Sequence, residues 1–158
     1  MATSNRPVGA PADLSIVITR LFDAPREVVF KAWIDPAHVA QWWGPNGFTT
    51  TIHEMDVRPG GVWRFIMHGP DGVDYQNKIL YVEIVEPERL VYVHGDDGDT
   101  DQFRTTVTFA EQDGATRLTM EALFASKADR DRHVEEFGAI DGGKQTLGRL
   151  AEYLRTMG

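Results

Sequence analysis

Between Phe48 and Phe124 the sequence breaks into short runs of alternating apolar and polar residues, and turn-forming pairs separate the runs. That rhythm restricts the chain strongly, because a period of two places successive side chains on opposite faces of a pleated strand, whereas a helix repeats every three to four residues. Pro59-Gly60-Gly61 and Asp71-Gly72 punctuate the first three runs, about residues 48–57, 62–68 and 73–85. Glu86-Pro87-Glu88 precedes a run at 89–94, and Asp113-Gly114 joins 103–111 to 115–124 as a tight hairpin. Strands linked in this way form an antiparallel meander, and a single curved sheet must cover its apolar face with something.

The flanks supply the cover. LSIVITRLF at 14–22 is β-branched and alternating and reads as a first strand. Asp23 or Ala24 is expected to cap a helix with Pro25 in its first turn and Val29, Ala32 and Trp33 on one face. Asp35-Pro36 starts a second, short helix with Val39, Trp42 and Trp43 as its stripe, and Gly44-Pro45 ends it. After Ser126 comes a short helical turn. A longer amphipathic helix then runs to about Thr156, with Leu147, Leu150, Ala151 and Leu154 on one face. Residues 1–13 read as a flexible leader and 14–158 as one domain. The expected fold is α+β: a curved antiparallel sheet wrapped around the long C-terminal helix, two short helices between the first two strands, and room for a ligand between sheet and helix.

Composition removes several function classes. With 24 acidic against 16 basic side chains the net charge is −8, which opposes attraction to a phosphate backbone and makes nucleic acid an unlikely partner. The absence of cysteine excludes disulfides, thiolate catalysis and cysteine metal sites. No run approaches the roughly 18 apolar residues of a membrane span, and the leader has no signal-like apolar core. A cytoplasmic protein without membrane insertion is expected.

Motifs for catalysis are weak. Gly138 to Lys144 imitates a phosphate-binding loop, but Gln145 replaces the hydroxyl residue that would hold magnesium, and the context is helical. Asp97, Asp99 and Asp101 copy the start of a calcium loop, yet Gln102 and Thr108 occupy its glycine and glutamate positions, which leaves at most a loosely held cation at the acidic loop 96–101. The five histidines show no zinc-type pairing, and no nucleophile motif surrounds Ser4, Ser15 or Ser126. No metal, cofactor or catalytic residue is assigned. Alternation does place Trp63, Phe65 and Met67 on one face, opposite Arg64, Ile66 and His68, and lines up Phe103, Val107 and Phe109 with Leu118, Met120, Ala122 and Phe124. These side chains either fill a core or line a partly hollow interior. The same-face pairs Asn77 with Tyr81, Tyr92 with His94, and Glu54 with Asp56 could present polar atoms to a ligand there, and His94 is the candidate for proton transfer.

The segments DAPREVVFKAWIDPAHVAQWWGPNGF, DVRPGGVWRFIMHGPDG, DYQNKILYVEIVEPERLVYVHG and GGKQTLGRLAEYL resemble bacterial proteins related to the C-terminal domain of the activator of Hsp90 ATPase (AHSA1-like), within the START-like, or SRPBCC, superfamily. The resemblance spans about residues 14–156. It implies a helix-grip fold with a cavity that, across the superfamily, holds lipids, sterols, polyketides, hormones or aromatic substrates. By position it implies Trp42 and Trp43 at the rim, one of them a structural anchor. Asp56, Arg58 and Gly60-Gly61 would be architectural, and Trp63, Phe65, Met67, Tyr81, Tyr92, Phe103, Met120 and Phe124 would form the lining, with Asn77 and His94 as further ligand contacts. Relatives often carry a bulkier residue and Gly-Trp before the last helix where this chain has Asp141-Gly142-Gly143, a difference expected to widen the entrance. The implied function is binding of a small apolar or aromatic molecule, with no reaction assigned. The alternatives are an enzyme of cyclase or hydrolase type and, third, a partner of an Hsp90-type chaperone; a homodimer is compatible with all three.

Overall fold

A computed structural model describes residues 14–95, 101–135 and 139–157. The leader, most of the acidic loop and Gly138 lie outside those residues. Strand β1 (Ser15–Phe22) is followed by helices α1 (Arg26–Ile34) and α2 (Pro36–Trp42), then by β2 (Thr49–Met55), β3 (Val62–His68), β4 (Asp74–Val85), β5 (Arg89–Gly95), β6 (Asp101–Gln112) and β7 (Ala115–Phe124), and finally by α3 (Lys127–Glu135) and α4 (Ala139–Met157). All seven strands form one antiparallel sheet in the order β1-β7-β6-β5-β4-β3-β2. The meander is therefore as expected, and β1 extends it by pairing with the last strand.

Local chemistry explains the boundaries. Asp35 Oδ1 accepts a hydrogen bond from the Ala37 amide at 3.0 Å, and Pro36 takes the first helical position of α2, where its missing N–H costs nothing. Helix α1 departs from expectation. Its N-cap is Pro25 itself, with no side-chain cap, so neither Asp23 nor Ala24 takes the capping position. At the β6–β7 hairpin Asp113 and Gly114 both have positive φ, 54° and 83°, the conformation that matches strand twist in a two-residue turn. The turn after β2 depends on Gly61, where a Cβ would collide with the Asp56 carbonyl oxygen, and Arg58 Nε donates to Asp56 Oδ2 at 2.8 Å across it.

One face of the sheet carries the core. Ile16, Ile18, Trp63, Phe65, Ile79, Leu90, Val107, Phe109 and Leu118 pack there against Val29, Phe30 and Trp33 of α1, Val39 and Trp42 of α2, and Leu147, Leu150 and Leu154 of α4. Gly143 lets α4 close on β1, since a Cβ would fall 2.5 Å from Ile18 Cδ1, and a Cβ at Gly142 would meet Pro45 Cγ at 3.7 Å. Gly143 thus serves the close packing of α4 on β1. Gly142, Gly143 and Lys144 lie inside α4, which disposes of the phosphate-loop imitation.

Candidate functional site on the helix-facing side of the sheet

Residues directly opposite one another in a ladder share a face, so the register shows which side chains are brought together. One row runs Phe124, Phe103, His94, Ile79, Trp63, Met55 from β7 to β2. A second runs Ala122, Thr105, Tyr92, Tyr81, and a third Asn77, Phe65, Ile52. Met67 follows Phe65 two residues on, and Met120 pairs with Val107. Ten of the twelve residues singled out from the sequence, namely Trp63, Phe65, Met67, Asn77, Tyr81, Tyr92, His94, Phe103, Met120 and Phe124, therefore occupy this one face.

The two tryptophans of α2 divide. Trp42 has no exposed surface and its Nε1 donates to the Ala32 carbonyl at 3.0 Å, so it anchors α2 to α1 and is withdrawn from the ligand-contact set. Trp43 caps the helix, stays half-buried, and lies edge-on to Trp63 with ring centroids 4.8 Å apart. It also meets Trp33 at 5.6 Å and Phe65 at 6.0 Å. Trp63 stacks on Phe65 at 4.4 Å, completing a continuous aromatic wall. Glu54 and Asp56 do not join the face. A bulge between Ile52 and Glu54 shifts the register, Glu54 pairs with Arg64 at 3.1 Å on the outer side, and Asp56 binds Arg58.

Burial separates the face into two zones. Trp63, Phe65, Ile79, Tyr81, Leu90, Tyr92, Val107 and Phe109 are closed off by the helices. Met67, Asn77, His94, Phe103 and Met120 keep part of their surface open although they point the same way. The accessible zone has defined polar chemistry. Asn77 Nδ2 donates to the Tyr75 carbonyl at 2.9 Å, which turns Oδ1 toward His94 Nε2, 2.9 Å away. That nitrogen must donate, and Nδ1 is then the acceptor of a neutral ring. Burial pushes the His94 imidazole down to about 4, with His133 of α3 adding to the effect. His133 Nδ1 donates to the Asp129 carbonyl at 3.0 Å, and its ring packs on Phe103 and Phe124 at 5.3 and 4.7 Å. A neutral histidine already committed to an amide is poorly placed to act as an acid at neutral pH. Burial likewise holds the Tyr81 and Tyr92 phenols well above their ordinary range, so both are neutral; Tyr92 is bonded to Thr105.

Sequence reasoning missed the second face of α4. Gln145, Arg149 and Tyr153 are spaced four apart and dock on α2 and the loop after it: Gln145 Oε1 accepts from the Asn46 amide at 3.1 Å, and Tyr153 bonds His38 Nδ1 at 2.6 Å. Arg149 Nη1 lies 2.9, 3.1 and 3.0 Å from the carbonyls of Gly44, Pro45 and Phe48 and 3.4 Å from that of Trp43. This clasp positions Trp43. Its sequence signal is only a polar stripe at helical spacing, which looks the same as a solvated face.

The model of the activator of Hsp90 ATPase homolog 1-like protein family matches residues 23–155. This chain belongs to that family. Among solved structures, a Mycobacterium smegmatis protein is 28% identical and superposes with a TM-score of 0.79 over 89% of this chain and 90% of its own. A Silicibacter pomeroyi protein described as AHSA1 is 25% identical, with a TM-score of 0.70 over 91% of this chain and 99% of its own. An Arthrobacter aurescens protein, 24% identical, shares the fold at a TM-score of 0.83 over 94% of this chain and 92% of its own. Among curated proteins none matches. The helix-grip fold expected of this activator-homologue family is the one observed. No described helix is long and apolar enough to cross a membrane, and no group of metal-ligating side chains occurs among the described residues.

Proposed function

We propose that this member of the activator-homologue family binds a small apolar or aromatic molecule between the sheet and α4. The observation that carries the reading is the open zone: Met67, Phe103 and Met120 face the helices with apolar surface still exposed, next to a neutral His94–Asn77 pair. Inward-facing apolar side chains that the fold leaves partly uncovered gain by contact with an apolar ligand, at about 25 cal/mol per Å² removed from water. Membership of a START-like family, whose proteins commonly hold hydrophobic ligands, points the same way. The neutral histidine favours binding over acid–base catalysis.

The test is native mass spectrometry of protein purified gently from its own host, together with titration of an environment-sensitive aromatic dye. A co-purifying mass, and dye binding weakened at least tenfold in Phe103→Trp, which fills the zone, are expected. Unchanged dye binding in a folded Phe103→Trp protein excludes this location.

A further inference from the structure

Three polar atoms in the aromatic wall find no protein partner although they are fully buried: Trp33 Nε1, Trp63 Nε1 and the Tyr81 hydroxyl. A buried donor left unpaired is rare in folded proteins and calls for an explanation. The pattern here is selective. Trp42, in the same cluster, gives its N–H to Ala32, and Tyr92, directly opposite Tyr81 in the sheet, has Thr105. Trp63 and Tyr81 sit on adjacent strands on the face that carries the open zone, Trp63 opposite Ile79 and Tyr81 two residues further along β4. Half-buried Trp43 is the ring that covers Trp63, and it also contacts Trp33.

The charge of the surroundings is as informative as the orphan donors. On this face of β2 to β6 the described side chains are Thr50, Ile52, Met55; Trp63, Phe65, Met67; Tyr75, Asn77, Ile79, Tyr81, Ile84; Leu90, Tyr92, His94; and Phe103, Thr105, Val107, Phe109, with Glu111 beyond them at the hairpin end of β6, its Oε2 accepting from the Gly114 amide at 3.1 Å. Apart from Glu111, whose carboxylate is held by the β6–β7 turn, none is charged at neutral pH, since His94 stays neutral there. The nearby Arg149 guanidinium is occupied with backbone carbonyls. A carboxylate or ammonium brought here would be desolvated with no counter-charge, whereas a ketone, ester or quinone oxygen would find donors waiting.

Building on the binding reading above, we infer that the ligand is uncharged and carries a carbonyl-type acceptor oxygen, received by Tyr81 O–H and Trp63 Nε1–H once Trp43 swings aside. The ligand class is neutral aromatic carbonyl compounds, to the exclusion of fatty-acid-like anions and of plain hydrocarbons as the preferred guests.

The experiment is calorimetric titration of the whole protein with acetylnaphthalene, ethylnaphthalene and naphthoate, against wild type and Tyr81→Phe. That substitution removes only the hydroxyl and breaks no hydrogen bond of the free protein. Acetylnaphthalene should lose about threefold to tenfold in affinity in Tyr81→Phe, while ethylnaphthalene is unaffected. Naphthoate should bind at least tenfold more weakly than the ketone to wild type. The melting temperature of free Tyr81→Phe should equal or exceed that of wild type, which a merely structural hydroxyl would not allow. Equal effects of the substitution on ketone and hydrocarbon, or preferred binding of naphthoate, overturn the inference and leave the binding reading standing. Failure of all three probes to bind overturns both.

Discussion

Replacing Arg149 by Met tests the clasp between α4 and the loop after α2. Methionine keeps much of the apolar stem and removes the guanidinium. Nη1 lies within 3.4 Å of four backbone carbonyls but carries only two hydrogens, so about two bonds exist at a time, some shared between acceptors. Hydrogen bonds from a charged donor contribute ~1.5–3 kcal/mol each. Because the group is half-buried and water can replace part of the loss, the lower end applies, and the expected cost is about 3 kcal/mol. For a chain of this length that corresponds to a fall in Tm of roughly 6–12 °C. Burial also holds the Arg149 pKa below its ordinary value, though a guanidinium remains charged through the accessible pH range, so the loss should be independent of pH between 5 and 9. The assay is urea unfolding followed by circular dichroism, with Trp fluorescence reporting on the cluster of Trp33, Trp42, Trp43 and Trp63. Arg149→Lys should recover less than half of the loss, since an ammonium on a shorter reach cannot serve this set of carbonyls. A Tm within 2 °C of wild type for Arg149→Met, at unchanged urea dependence, would refute the clasp.

Three further outcomes follow from the geometry. Asp35→Ala removes the acceptor of the Ala37 amide and should cost about 1 kcal/mol in urea unfolding, with Asp35→Asn recovering most of it. Gly61→Ala places a methyl against the Asp56 carbonyl and should cost about 3 kcal/mol or more, seen as loss of soluble folded protein at 37 °C; a variant as stable as wild type would show that the turn can relax. The third concerns pH. His94 is held at about 4 against 6.5 in the unfolded chain, so the unfolded state binds more protons between those values. Stability is therefore full above pH 6.5 and declines as pH falls toward 4, by about 3 kcal/mol at most. His94→Gln should flatten this part of the pH–stability curve, and an unchanged slope would place the titration elsewhere.

Much of the fold was legible because turn residues and period-two alternation are local properties. Asp35-Pro36 and Asp113-Gly114 each act through bonds within a few residues, and both do what their spacing implies. The strand faces were legible for the same reason, which is why ten of the twelve chosen residues share a surface. What failed depended on contacts between distant segments. A bulge of one residue turned Glu54 outward. Adjacent tryptophans must diverge by about 100° on a helix, so one of the pair had to be an anchor, but only the end of α2 at Trp42 decides which. Arg149 works through backbone carbonyls, and an acceptor that every residue possesses leaves no trace in composition. The orphan donors are invisible for a related reason, since sequence names the donor and not its missing partner.

The pairing of β1 with β7 has a consequence for synthesis. Ser15 meets Leu123 and Phe22 meets Thr116, so about a hundred residues separate the partners. At ~5–20 residues per second of translation, β1 waits roughly 5–20 s for its neighbour to be made. During that interval its apolar residues, including Val17 and Leu21, which stay outward even in the finished protein, have no sheet to join. β2 to β6 can zip hairpin by hairpin as they emerge, while the seam closes last. The wait of this first strand for β7 is thus the interval in which a nascent chain of this topology is most exposed to aggregation, and in which shelter by the ribosome or by a holding factor matters most.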